Sequence, residues 1–95
     1  MNMDFDVDWG DAKNEVLTER YGFGFDQVVE AIASGGLLDD KAHPNTSRYG
    51  HQFQLVVEID NYAWVVSYVG SAKLKFLKTF FPSRVETQKY LGPRQ

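Results

Sequence analysis

Cysteine is absent from this chain, which excludes a disulfide framework, a thiolate metal site and a cysteine nucleophile. Histidine is scarce: His43 and His51 are the only two, so proton transfer near neutrality has few candidates. Long hydrophobic runs are missing as well. The longest apolar stretches, such as Tyr62 to Val66, are far too short to span a bilayer, so no membrane association is expected. The opening residues, Met1 to Asp6, are acidic where a signal peptide would be basic, and a cytoplasmic location is the expectation. No repeat, low-complexity tract or internal linker divides the 95 residues. With 43% hydrophobic and 24% charged residues they suffice for one modest core and read as a single domain, 1–95.

The formal charge of −3 conceals an uneven distribution. Residues 1 to 45 hold ten acids against three bases, a balance of −7, and residues 46 to 95 hold seven bases against three acids, a balance of +4. From Lys73 onward six bases face one acid, Glu86. Such asymmetry suits a polyanion partner if the acidic half turns away from it; otherwise it is an unevenly charged solvated surface.

Phe5, Val7 and Trp9 alternate with Asp4, Asp6 and Asp8, the period-2 pattern of a half-buried strand. Asp8 is then placed as the N-cap of a helix with Asp11 in its first turn and Gly22 at its end. Ala12, Val16, Leu17 and Tyr21 share one side of that helix. A second helix is written in Phe25, Val28, Val29, Ile32 and Ala33, and Gly35-Gly36 terminates it. After Leu37-Leu38, Asp39 to Gly50 reads as an irregular polar loop whose first part is open to a short strand. Three strands follow: Gln52 to Ile59, Tyr62 to Val69 and Lys73 to Phe81, with turns at Asp60-Asn61 and Gly70-Ser71. Pro82 closes the last strand, and Ser83 with Glu86 forms a capping box for a short helix that Gly92-Pro93 stops. The expected architecture is α+β: a strand, two helices, an antiparallel meander of three or four strands, and a terminal helix.

Strict alternation through the last strand places Leu74, Phe76, Lys78 and Phe80 on one face and Lys73, Lys75, Leu77, Thr79 and Phe81 on the other. Lys78 is the odd member of an apolar set. Either its stem runs to the sheet edge, or that face opens into a cleft where an ammonium meets a ligand. Ser83 and Arg84 begin the last helix, whose first N–H groups favour an anion; with Lys78 and the Thr79 hydroxyl beside them, that end would form a phosphate site. The plainer alternative is a capping Ser83 and a surface Arg84. His43 and Arg48 in the polar loop fit acid-base cleavage of RNA, a base removing the 2′-hydroxyl proton and a cation stabilising the charged phosphorane. His43 could equally cap a turn through the Pro44-Asn45 that follows it. The two histidines, eight residues apart, match no zinc pattern, so neither a metal nor another cofactor is expected. Phe5, Trp9, Phe25, Phe53, Trp64 and Phe76 read as core by their periodic positions. Tyr49 and Tyr90, in polar surroundings, are the better candidates for contact with nucleic acid.

Several local words together resemble a family. Trp9-Gly10-Asp11-Ala12-Lys13-Asn14, a helix ending in Arg20-Tyr21-Gly22, and Phe25-Asp26-Gln27-Val28-Val29 resemble the BrnT-type toxins of bacterial toxin-antitoxin operons, as does the closing run Lys78 to Arg84 followed by Thr87 and Tyr90. The resemblance runs from about Phe5 to Leu91. It implies a compact RelE-like fold, a ribonuclease that degrades messenger RNA and arrests growth, and a small ribbon-helix-helix antitoxin that covers it in a higher-order complex. By the resemblance, functional positions fall on Lys13 and Arg20 near the first helix, His43 and Arg48 in the loop, and Ser83 and Arg84 at the last helix. The closing helix is less basic than the arginine-rich endings usual in BrnT proteins.

Two functions of different class follow. The first is a metal-independent endoribonuclease in which Arg84, Lys78 and Arg48 hold the scissile phosphate and His43 moves the proton. The second is a non-catalytic interaction module that keeps only the partner-binding surface, which the excess acid of the first half favours. A DNA-binding regulator is the weakest reading, since none of the three expected helices is rich in Arg and Asn.

Overall fold

The computed structural model describes residues 4–92, and the side chain of Tyr49 also lies outside the described residues. The elements are β1 (Asp6–Trp9), α1 (Asp11–Tyr21), α2 (Phe25–Ala31), a π-helical turn (Ile32–Gly36), β2 (Leu37–Ala42), α3 (Thr46–Tyr49), β3 (Phe53–Ile59), β4 (Tyr62–Gly70), β5 (Leu74–Pro82) and α4 (Arg84–Leu91). The α+β class is as expected. All five strands join one sheet in the order β1-β5-β4-β3-β2. The meander β2 to β5 is antiparallel throughout, and β1 adds to it in parallel beside β5. Among the described residues no helix is long and apolar enough to cross a membrane.

The two faces of the sheet are covered unequally. On one face Leu17 of α1 and Phe25, Val28 and Ile32, from α2 and the turn after it, pack against Leu55, Val57, Val66, Leu77 and Phe80. Phe80 is the hub of an aromatic cluster, with Phe23 and Phe25 ring centroids each 5.3 Å away and Tyr21 at 5.6 Å. Phe5, Trp9, Phe53 and Trp64 pack around this core as expected. On the other face α4 lies over β4. Its buried Thr87 accepts the Ala63 N–H at 2.8 Å and donates to the Ser83 carbonyl at 2.7 Å.

Four local expectations change. Trp9 continues β1 by pairing with Leu77, so α1 begins later, with Gly10 as its N-cap; the Asp8 carboxylate instead accepts the Trp9 N–H. Of the apolar side expected for α1, Leu17 is fully buried while Val16 is 46% exposed, because this helix touches the sheet along a narrow line. The polar loop contains the one-turn helix α3, capped by Asn45 Oδ1. The largest change is in β5. Its ladder with β4 pairs Ser67 with Thr79 but Tyr68 with Leu77, so Lys78 is the extra residue of a β-bulge. A bulge reverses alternation beyond it. Lys75 and Leu77 therefore share the core face with Phe80, while Phe76, opposite Val69, joins Thr79 on the face of α4.

The Asp60-Asn61 turn has φ of 54° and 64° at its two residues, the left-handed pair of a type I′ hairpin, as the sequence predicts. Gly24 serves a different need. A Cβ there would lie 2.4 Å from Asn14 Oδ1, which accepts the Phe25 N–H at the start of α2, and 2.7 Å from Thr18 Oγ1, which donates to the Asn14 carbonyl within α1.

Candidate functional site

The residues singled out in the sequence fall into three groups. β3 and β5 are both antiparallel to β4, so they run in the same direction. His43 and Arg48 sit in the connection where β3 begins, and Ser83 and Arg84 follow the point where β5 ends. A seven-residue strand is about 23 Å long, so these two groups lie at opposite ends of the sheet and do not meet at one phosphate. The third group is Lys13 and Lys78. They line one cavity of about 430 Å³, together with Gly10 and Phe76, at the N-terminal turn of α1.

Each group has its own chemistry. His43 Nδ1 accepts the Asn45 N–H at 3.0 Å, and its own backbone N–H donates to the Gln52 carbonyl at 3.1 Å. The ring therefore closes the turn at Pro44-Asn45, and an accepting Nδ1 places the neutral ring's proton on Nε2. Ser83 Oγ accepts the Glu86 N–H at 3.1 Å and caps α4. The reciprocal half of the capping box is not made: Glu86 turns to Lys41 at 2.5 Å, and the Ser83 N–H donates to Ala63. Arg84 is exposed and borders a shallow cavity with Tyr62 and Gln88. Thr79 is half-buried opposite Ser67. Arg20, in the last turn of α1, lies 5.9 Å from the Tyr21 ring.

Tyr90 is committed to the fold. Its phenol donates to Asp39 Oδ2, and that hydrogen bond, with some burial, pushes Tyr90 up to about 12. The same bond, joined by the Asp40 N–H, holds Asp39 below its ordinary value. Lys78 is exposed, with its ammonium 5.4 Å from the Phe76 ring. In the lysine cavity no side chain caps α1, so backbone N–H groups of its first turn add to the two ammonium groups.

Sequence reasoning missed Lys75. The bulge turns it inward, where it is 3% exposed. Its ammonium donates to the Ser71 and Ala72 carbonyls at 3.4 and 3.2 Å, and stands 4.5 and 4.9 Å from the Phe5 and Tyr68 rings. Asp40 Oδ2 is 3.8 Å away, and Asp40 Oδ1 accepts the Tyr68 hydroxyl at 2.5 Å. Burial first, then the bond to Asp40, raises the Tyr68 phenol well above its usual range. These groups line a second cavity of about 430 Å³. Among the described residues no group of three or more histidines or acids is arranged to hold a metal ion. Comparison of the chain with family models, with curated proteins and with solved structures finds no match in any of the three.

Proposed function

We propose that this chain is the toxin of a type II toxin-antitoxin pair: a BrnT-like endoribonuclease that cuts messenger RNA without a metal and is neutralised by a ribbon-helix-helix antitoxin. The observation that carries the reading is the cavity shared by Lys13 and Lys78. Two ammonium groups from separate elements and an uncapped helix start suit a phosphate diester, and they stabilise the charge that grows on it as the 2′-oxygen, its proton passing to water, bonds to phosphorus and the 5′-oxygen leaves, taking a proton from water. Asp39 lies on β2, the edge strand opposite β1, and is bonded to Tyr90 of α4, so part of the acidic half does turn away. Expression without a partner is expected to arrest growth, and the double substitution Lys13→Ala and Lys78→Ala to relieve it. Normal growth with abundant folded wild-type protein would sink the proposal.

A second reading has its own support. Asp8 and Asp11 remain beside Lys13, and the His43 and Arg84 groups occupy opposite ends of the sheet. Both favour a non-catalytic module that binds a protein partner. Such a module shows no RNA binding at any salt concentration, whereas the nuclease shows binding that weakens as salt rises.

A further inference from the structure

The second cavity has no part in the phosphate chemistry just described, and its composition points to a different ligand. Asp40 contributes one negative charge and Lys75 one positive charge, while Lys41, also on its wall, has its charge matched by Glu86 at 2.5 Å. The site is electrically balanced. A phosphate entering it would face the Asp40 carboxylate, whereas a neutral ring would not. At about 430 Å³ the cavity lies at the small end of ligand sites, suited to one heterocycle. Phe53 supplies an apolar wall, its ring stacked on Tyr68 with centroids 5.5 Å apart.

The polar groups fix which ring. Asp40 has a 41% exposed side chain; one oxygen takes the Tyr68 hydroxyl, and the other stands 3.8 Å from Lys75, beyond hydrogen-bond distance. A carboxylate has about four acceptor positions, so both oxygens still offer lone pairs to a ligand. Guanine alone among the RNA bases presents two adjacent N–H donors, N1–H and N2–H₂, beside a carbonyl oxygen. The carboxylate takes the two donors and the neighbouring ammonium faces O6. Adenine and cytosine place an acceptor nitrogen next to their amino group, and uracil flanks its N–H with two carbonyls; each sets a lone pair against Asp40. We propose that this cavity is a base-reading subsite that takes guanine. The inference rests on the RNA reading above for its polymer. Lys75 precedes Lys78 by three residues on β5, roughly 10 Å, so the base site and the phosphate site share one strand.

The test titrates the full chain, by calorimetry or amide NMR, with the 5′-monophosphates of guanosine, adenosine, cytidine and uridine. All four carry the same phosphate, so differences report the base. Guanosine monophosphate is expected to bind about tenfold or more tightly than each of the others, the discrimination typical of a bidentate base contact. Asp40→Asn, which turns an acceptor into a donor, is expected to abolish that preference. Tyr68→Phe removes the same Tyr68 contact but leaves the carboxylate, so it must keep the preference. Equal binding of guanosine and adenosine monophosphates, a preference that survives Asp40→Asn, or one lost in Tyr68→Phe overturns the inference. Growth arrest without a guanine preference refutes this subsite and leaves the ribonuclease standing. A guanine preference in a chain that neither arrests growth nor cuts RNA refutes the ribonuclease and leaves the subsite.

Discussion

Thr87→Val tests how α4 is fastened to the sheet. β5 ends at Pro82, which has no N–H, opposite Trp64, and at the neighbouring Ala63, paired with Glu58 of β3 on one side, the N–H directed to the other side has no β5 residue to receive it. The Thr87 hydroxyl takes that N–H at 2.8 Å and passes its own proton to the Ser83 carbonyl, in a side chain only 2% exposed. Valine keeps the shape and loses both bonds. A buried donor left without a partner costs about 1–3 kcal/mol, and about 2 kcal/mol is the value taken here. In a domain of this size about 1 kcal/mol corresponds to roughly 4–8 °C, so the midpoint of thermal unfolding by circular dichroism should fall by about 8–16 °C. Thr87→Ser keeps the hydroxyl and loses one methyl, worth about 1 kcal/mol, so it should fall about half as far. A Thr87→Val chain as stable as Thr87→Ser would refute the argument that the hydroxyl completes the ladder.

Gly24→Ala forces Asn14 Oδ1 away from the Phe25 N–H it accepts at 2.8 Å, and should cost about 1–2 kcal/mol in a urea titration; no change would mean that α1 can retreat without loss. The Asp39–Tyr90 bond makes stability depend on pH at both extremes. The Tyr90 phenol is raised from 10.0 to about 12, so its contribution is complete below pH 10 and lost as pH rises through 12. Asp39 is lowered from 3.8, so its contribution is complete above about pH 4 and lost as pH falls. Tyr90→Phe should flatten both limbs of the stability profile measured by chemical denaturation; an unchanged profile would remove the bond from the account. Ser83→Ala should cost about 1 kcal/mol through loss of the α4 cap, read from the same titrations.

The elements were legible in the sequence wherever one residue's neighbours decide its conformation. The acid-apolar alternation of β1, the Asp60-Asn61 turn and the Ser83 cap are local features, and each stands where the pattern puts it. The site was less legible, because the bulge at Lys78 depends on how β4 and β5 align rather than on any residue within β5. One extra residue exchanged the roles of two lysines: Lys78 read as the inward one, and Lys75 is the one buried. Lys75 also needs Asp40 and Tyr68, 35 and 7 residues before it in sequence, and no spacing rule joins those three. The separation of His43 from Arg84 was hidden for the same reason. Their positions follow from strand direction in the assembled sheet, while on paper both belong to the basic second half or its border.

The same placement limits how much of the positive charge the phosphates of an RNA strand can meet. Of the six bases from Lys73 onward, Arg94 lies outside the described residues, Lys73 is exposed but does not line the lysine cavity, Lys75 is buried against carbonyls and Asp40, and Lys89 lies 5.3 Å from the Tyr90 ring beside Asp39. Arg84 stands beyond the end of β5, away from the lysine cavity. Lys13 and Lys78 therefore supply the phosphate contacts at the proposed site, and two contacts on a single strand give a slope of about −1.4 for the logarithm of affinity against the logarithm of salt concentration. Lys78→Ala should bring that slope to about −0.7, measured by fluorescence anisotropy with a labelled single-stranded RNA. A wild-type slope of about −4 or steeper would require more than five phosphate contacts, and would place the RNA across Arg48 and Arg84 instead of along the β1 edge.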